Sequence, residues 1–153
     1  MTEESTLEAN QFFQVLKMIH AAMIAGVVMF MGVCFFLHRT HLHLSMTDDI
    51  LLLLIAIVVT ASFLPIALAV HVPVLKALKP GASLSQVQQT YQTICILRWA
   101  LCEGPALFSL VAFLINSNLL FVVVVVVNLT VFVMKRPSSQ EFIEYFQKYG
   151  IQA

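Results

Sequence analysis

The sequence predicts an all-α integral membrane protein: a four-helix bundle with both termini on the cytoplasmic side and a short interfacial helix at the C-terminus. Three observations lead there. Apolar residues make up 60% of the 153-residue chain and charged residues only 10%, whereas soluble domains carry about a quarter charged. The apolar residues fall in runs near the 18 or so needed for a membrane span. Polar and breaker residues lie between those runs, and nearly all Lys and Arg fall on one side of the resulting topology.

TM1 covers Lys17 to Leu37, on a helix that begins earlier. Ser5-Thr6-Leu7-Glu8 fits a capping box, in which the serine caps and the glutamate reaches back. Glu3, Glu4 and Glu8 stand where a cleavable signal would be positive, so this span is expected to be retained. Ala21, Ala22, Ala25, Gly26 and Gly32 predict close helix packing, since small residues let backbones approach in lipid. A polar connection, His38 to Asp49, ends in Thr47, Asp48 and Asp49, which suit an N-cap and the positive end of a helix dipole.

TM2 covers Ile50 to Val70, with a kink expected at Pro65, where a backbone hydrogen bond is lost. Val72 to Ser85 reads as a connection containing Pro73 and Pro80-Gly81. A long helix restarts near Ser83 with a glutamine-rich first part and enters the membrane as TM3, 95–115. Asn116-Ser117-Asn118 makes a tight turn, and TM4 follows over Leu119 to Met134, valines 122–127 included. Valine is a poor helix former in water, but in lipid the backbone has no other partner. Ser138-Ser139-Gln140-Glu141 offers a second capping box. Phe142, Ile143 and Phe146 then give the 138–149 tail an apolar stripe for the membrane surface. All of this reads as one membrane domain, 1–153.

Lys17, Lys76, Lys79, Lys135, Arg136 and Lys148 share one side, and Arg39 stands alone on the other. The positive-inside rule places the first group in the cytoplasm. With eight basic and eight acidic residues, the balance gives no reason to expect nucleic acid. Cys95 and Cys102 are separated by about 10 Å of helical rise, too far for a disulfide, and Cys34 belongs to the opposite face, so all three read as free apolar residues.

Chemistry concentrates on TM3. Arg98 and Glu103 are the charges within the predicted spans, apart from Lys17 at an edge. Such groups face the bundle interior or water. Glu103 lies about 11 Å deep, and about 140° of helix rotation separates it from Arg98, so each is expected to find a partner on another helix. The same depth offers His20, Thr60, Ser62, Asn128 and Thr130. Together these define a candidate intramembrane polar site, with Asn128 and Ser62 expected nearest Glu103. It reads either as a structural lock or as an ion or proton site with Glu103 titrating. His38, His41 and His43, near Asp48 and Asp49, could ligate zinc or copper, but their spacing matches no standard site, so no metal is assigned. His20 and His71 could each ligate a haem yet differ in depth, and no cofactor is expected. There is no phosphate-binding glycine loop, nucleophile–base constellation or His-Glu-x-x-His motif.

The stretch from Leu97 to Phe108, followed by a turn, a short span and Lys135-Arg136-Pro137, resembles an uncharacterised family of small bacterial four-helix membrane proteins. The likeness covers most of TM3, TM4 and the tail, and implies a multi-pass protein of the bacterial inner membrane. Ala100 to Phe108 is also similar to the second helix of ATP synthase proteolipid (c) subunits. There an Ala-Leu-x-Glu-Ala pattern presents the proton-carrying carboxylate, a role the resemblance implies for Glu103. Ile50 to Val70 lacks the glycines of the proteolipid partner helix, so ring assembly is not expected. The leading expectation is a non-enzymatic membrane subunit or accessory protein, such as one of a bioenergetic complex. It would pack against lipids and against other membrane subunits or further copies of itself. The alternative is a proton- or ion-coupled translocator using Glu103, and the third class is a small four-helix lipid or glutathione enzyme.

Overall fold

A computed structural model describes residues 3–40, 42–47, 49–78 and 81–148; of residues 3–10 and 146–148 it describes the backbone alone. The chain is all-α: α1 (Glu3–His38), α2 (Ile50–Ala69), α3 (His71–Lys76), α4 (Leu84–Asn116), α5 (Leu119–Met134) and α6 (Ser139–Lys148). Among the described residues, α1, the α2–α3 pair and α4 are each long and apolar enough to cross a membrane. α5 has 16 residues, about 24 Å of helix, and would be a fourth span only when counted with α6, from which it is bent by 72°.

α4 is the hub, packing against α1, α2, α3 and α5. In its most apolar stretch 50% of residues are buried, against 17% for the corresponding stretches of α1 and α2–α3. The core forms three layers along α4. Tyr91, Cys95, Trp99 and Cys102 meet Leu16, Ala67 and Phe132 at one end. Ala106 and Leu110 meet Val27 and Val125 in the middle. Ala112 and Phe113 meet Cys34, Ala56 and Phe121 at the other end. The three cysteines are buried free thiols.

Several local expectations change. α1 already runs through Ser5, so Ser5 is not its N-cap. Ala21, Ala22, Ala25, Gly26 and Gly32 point outward, and a side chain built on Gly26 or Gly32 would meet nothing within 4 Å. The inward seam of α1 is instead Leu16, His20, Met23, Val27, Phe30 and Cys34, fully or partly buried at alternating four- and three-residue spacing. Close packing of small residues occurs on α2, where Ala56, Thr60 and Ala67 are buried. α2 continues through Pro65 and is interrupted at Val70, and the first part of the expected connection is the short helix α3. Asp49 occupies the N-cap of α2 without a side-chain capping bond; Asp48 lies outside the described residues.

The ends of α4 are closed by side chains. Ser83 and Gln86 form a reciprocal capping box at the start. At the far end Ser117 adopts the left-handed conformation, with φ of 56°. Asn118 accepts from the Leu120 N–H and donates through Nδ2 to the Ser45 carbonyl. The backbone of His43 brackets this turn, donating to Ser117 O at 3.2 Å and accepting from Leu119 N at 3.0 Å. The expected polar turn is therefore also the anchor for the histidine-rich connection.

Candidate functional site

The residues singled out on α4 and around it separate into three groups. Thr60 of α2 and Asn128 of α5 come together: Asn128 Nδ2 donates to Thr60 Oγ1 at 3.0 Å and to the Val124 carbonyl at 2.9 Å. Asn128 is wholly buried, and its Oδ1 has no hydrogen-bond partner. Ser62 and Thr130 do not join this pair. Both are exposed and bond back to carbonyls one turn earlier, of Val58 and Val126, the local alternative open to any helical Ser or Thr.

His20 is buried against Trp99 and Phe132, with ring centroids 4.9 and 5.1 Å away. Its Nε2 lies 3.0 Å from the Phe132 carbonyl. A carbonyl only accepts, so Nε2 carries the proton. Trp99 Nε1 donates to the Lys135 carbonyl at the end of α5, and both contacts satisfy carbonyls that the end of that helix leaves open.

Arg98 makes a contact the sequence reading missed. Its Nη1 donates to Glu141 Oε1 at 2.9 Å and its Nη2 to the Tyr145 hydroxyl at 3.0 Å. Tyr145 donates in turn to Glu141 Oε1 at 2.7 Å, and the Tyr91 hydroxyl lies 3.2 Å from Glu141 Oε2. This is the ion pair of the described residues, with the Arg98 side chain 3% exposed and that of Glu141 24%. Arg98 Nε is left without a partner. Burial works against the Glu141 charge, but the Tyr145 hydroxyl and the Arg98 guanidinium outweigh it and hold the carboxyl below its ordinary value. Burial and the bond to Glu141 push Tyr145 up to about 12. The cluster ties α6 to α4, and an apolar contact reinforces it: Phe142 packs on Phe12, Phe13 and Tyr91 with centroids 5.2 to 6.3 Å apart. The stripe expected on the membrane surface thus places Phe142 on the start of α1. Ile143, however, is exposed, and the side chain of Phe146 lies outside the described residues.

The second capping box is half present. Ser138 Oγ accepts from Gln140 N, but the Ser138 N–H goes to the Tyr91 hydroxyl rather than to Glu141. Glu141 is engaged by Arg98 instead. One signal for this existed in the sequence: Glu141 and Tyr145 are four apart on a helix and so share a face.

Glu103 stands apart. It is half-buried and, among the described residues, has no hydrogen bond or ion pair. The expected contacts with Asn128 and Ser62 are absent, because Asn128 is turned to Thr60 and Ser62 to its own helix. Glu103 borders the outward face of α4 with Ala100, Gly104 and Phe108, all exposed. A side chain built on Gly104 would meet nothing within 4 Å. Pro105 is buried on the opposite side, where Ser109 Oγ donates to its carbonyl.

At the other end, His38 Nδ1 pairs with Ser117 Oγ at 2.6 Å, and His43 contributes its backbone. His41 lies outside the described residues. Among the described residues no three His, Cys, Asp or Glu side chains group as a metal site. His71 stacks on Tyr145, whereas His20 is bonded to the end of α5.

No family model matches the chain, and no curated protein or solved structure is similar enough to count as a match.

Proposed function

We propose that this chain is a non-enzymatic membrane subunit, spanning the bacterial inner membrane four times with both termini in the cytoplasm, and that the Glu103 face of α4 packs against another membrane helix. The observation that carries the reading is the contrast in partners along α4. Arg98 is enclosed within the chain, whereas Glu103 has no hydrogen bond or ion pair among the described residues. A carboxylate left in hydrocarbon costs a few kcal/mol or more, so Glu103 calls for a donor from outside the chain. Ala100 and Gly104 beside it keep that surface low, which suits close helix approach. The outward Ala22, Ala25 and Gly26 of α1 offer a second low surface of the same kind.

The positive-inside rule supports this orientation. Lys17, Lys135 and Arg136 lie at the end where α6 meets the start of α1, and Arg39 lies at the other end. Reporter fusions at Gln152 and Thr40 are expected on opposite sides of the membrane; one shared side overturns four spans.

The packing face is tested with a photo-crosslinking residue at position 100 and, as a control, at Leu54 of α2, which is also exposed. In native membranes, position 100 is expected to give a protein adduct of defined mass that Glu103→Gln weakens, and Leu54 to give lipid adducts. Lipid adducts at both sites overturn the subunit reading. Glu103-dependent proton flux from the purified chain in liposomes would favour translocation instead.

A further inference from the structure

A cavity of about 580 Å³ opens between the start of α1 and the α5–α6 corner. Lys17, His20, Arg136, Ser138 and Ser139 line it, with Phe13 and Pro137 as its apolar part. Among the described residues no carboxylate lines it, and Glu141, the nearest acidic residue in sequence, is held by Arg98. Lys17 and Arg136 are exposed, and neither has an ion pair or hydrogen bond among the described residues. The cavity also receives the N-terminus of α6, a helix of ten residues, where the dipole and open N–H groups favour an anion. Ser138 N and Gln140 N are already taken by Tyr91 and the Ser138 hydroxyl; among the described residues Ser139 N and Oγ have no protein partner. His20 is only 7% exposed, and among the described residues its Nδ1 has no partner while Nε2 is engaged by Phe132.

From these groups we infer that the cavity is a binding site for a phosphate group, and specifically for the headgroup of an anionic phospholipid. The charges select the phosphate. Two free cations, a hydroxyl and a backbone N–H at a helix start are the donors a phosphate oxygen uses. The imidazole can assist only by taking a proton on Nδ1 or through water, so Lys17 and Arg136 carry the main attraction. Phe13 and the surroundings select a lipid over a free ion. Met18, next in sequence to Lys17, and Val133 and Met134, three and two residues before Arg136, are exposed apolar side chains, along which an acyl chain can lie. Basic pockets between helices at the cytoplasmic boundary hold acidic headgroups in this way. The phosphate site needs only the cavity, while a lipid as its occupant rests on the membrane reading above.

The test uses the full chain purified in a neutral detergent and titrated with phosphatidylglycerol, phosphatidylcholine or inorganic phosphate, with binding read by native mass spectrometry. Carbonate-washed membranes establish separately that each variant is membrane-embedded, so failure of that reading is distinguished from failure of the site. Phosphatidylglycerol is expected to bind the wild-type chain and phosphatidylcholine to bind markedly less. Lys17→Gln and Arg136→Gln should each weaken phosphatidylglycerol binding roughly fivefold and the double variant roughly twenty-five-fold. A control removing the same charge elsewhere, Arg39→Gln with Lys76→Gln, should stay within about twofold if the site rather than overall charge is responsible. Unchanged thermal stability of the variants would support a direct binding role, since the replaced side chains hold no contact. Equal losses in the control, or none in the double variant, overturn the site. Displacement of the lipid by millimolar inorganic phosphate would make it a free-phosphate site and overturn the lipid assignment.

Discussion

Arg98 and Glu103 are two charges on one helix, five residues apart, and the structure treats them oppositely. Arg98 falls on the face of α4 that meets the rest of the chain, where Glu141 and Tyr145 reach it from α6. Glu103 falls beside the face of Ala100, Gly104 and Phe108, which is exposed among the described residues. A buried charge is tolerable when it is paired and hydrogen-bonded. The first charge meets that condition internally and acts as a fastening for the tail. The second does not meet it among the described residues, which is why a partner from outside the chain is proposed for it. Rotation around one helix thus separates a residue that builds the fold from one that is free to build an assembly.

The largest expected effect on the fold comes from Arg98→Leu. It leaves Glu141 without its cation and is expected to release α6. Removing one partner of a buried pair costs about 3–5 kcal/mol. The partial exposure of Glu141 places the loss near the lower end, since an undocked carboxylate can rehydrate. Protease cleavage of the tail in detergent should rise well above wild type; unchanged protection would show that the Phe142 contacts suffice. Glu141→Gln should release the tail less, because the amide can still accept from Arg98.

Acid should reproduce part of that release. The Glu141 pKa is lowered in the folded state, so its contribution is present in full above the unfolded glutamate value of about 4.3 and fades as pH falls through the lower folded value. Tail protection is expected to hold at neutral pH and to weaken below about pH 4 in the wild type, and the Glu141→Gln variant should lack that step. A step of equal size in both would assign it to other carboxylates.

Asn128→Leu should matter less. It removes the bond to Thr60 but also a buried carbonyl oxygen that has no partner. Interhelical polar bonds in membranes average about 0.6 kcal/mol, so the net change in stability is expected below about 1 kcal/mol. The smallest effect on the isolated chain belongs to Glu103→Gln, within about 0.5 kcal/mol, since Glu103 holds no contact to lose. Its effect should appear in association instead. A destabilised monomer would sharpen the comparison against us, by showing that Glu103 has an internal role.

Depth, length and composition were legible in the residues. The apolar runs gave the long helices, Asn116-Ser117-Asn118 the turn and the Phe142 stripe the apolar tail; Thr60 and Asn128 were placed at one depth, but as neighbours of Glu103 and Arg98 rather than of each other. The inward face of each helix was not legible. In α1 and α2 nearly every residue is apolar, so no periodic contrast marks the side that packs. This is why the sequence did not show that the small residues of α1 lie outward, while the packing seam of α1 runs through residues as different as Leu16, His20 and Cys34.

The amino-acid sequence by itself determined that this chain forms long apolar helices and that Arg98 and Glu103 need partners, because the length of a run and the cost of a charge in apolar surroundings are properties of the residues. Which partner each charge obtained was decided only by the tertiary structure. Arg98 is met by a glutamate 43 positions away, brought there by the 72° bend between α5 and α6, and Glu103 by no polar partner among the described residues. Pairing depends on how helices rotate and cross, and that is fixed by the whole packed set rather than by any one segment.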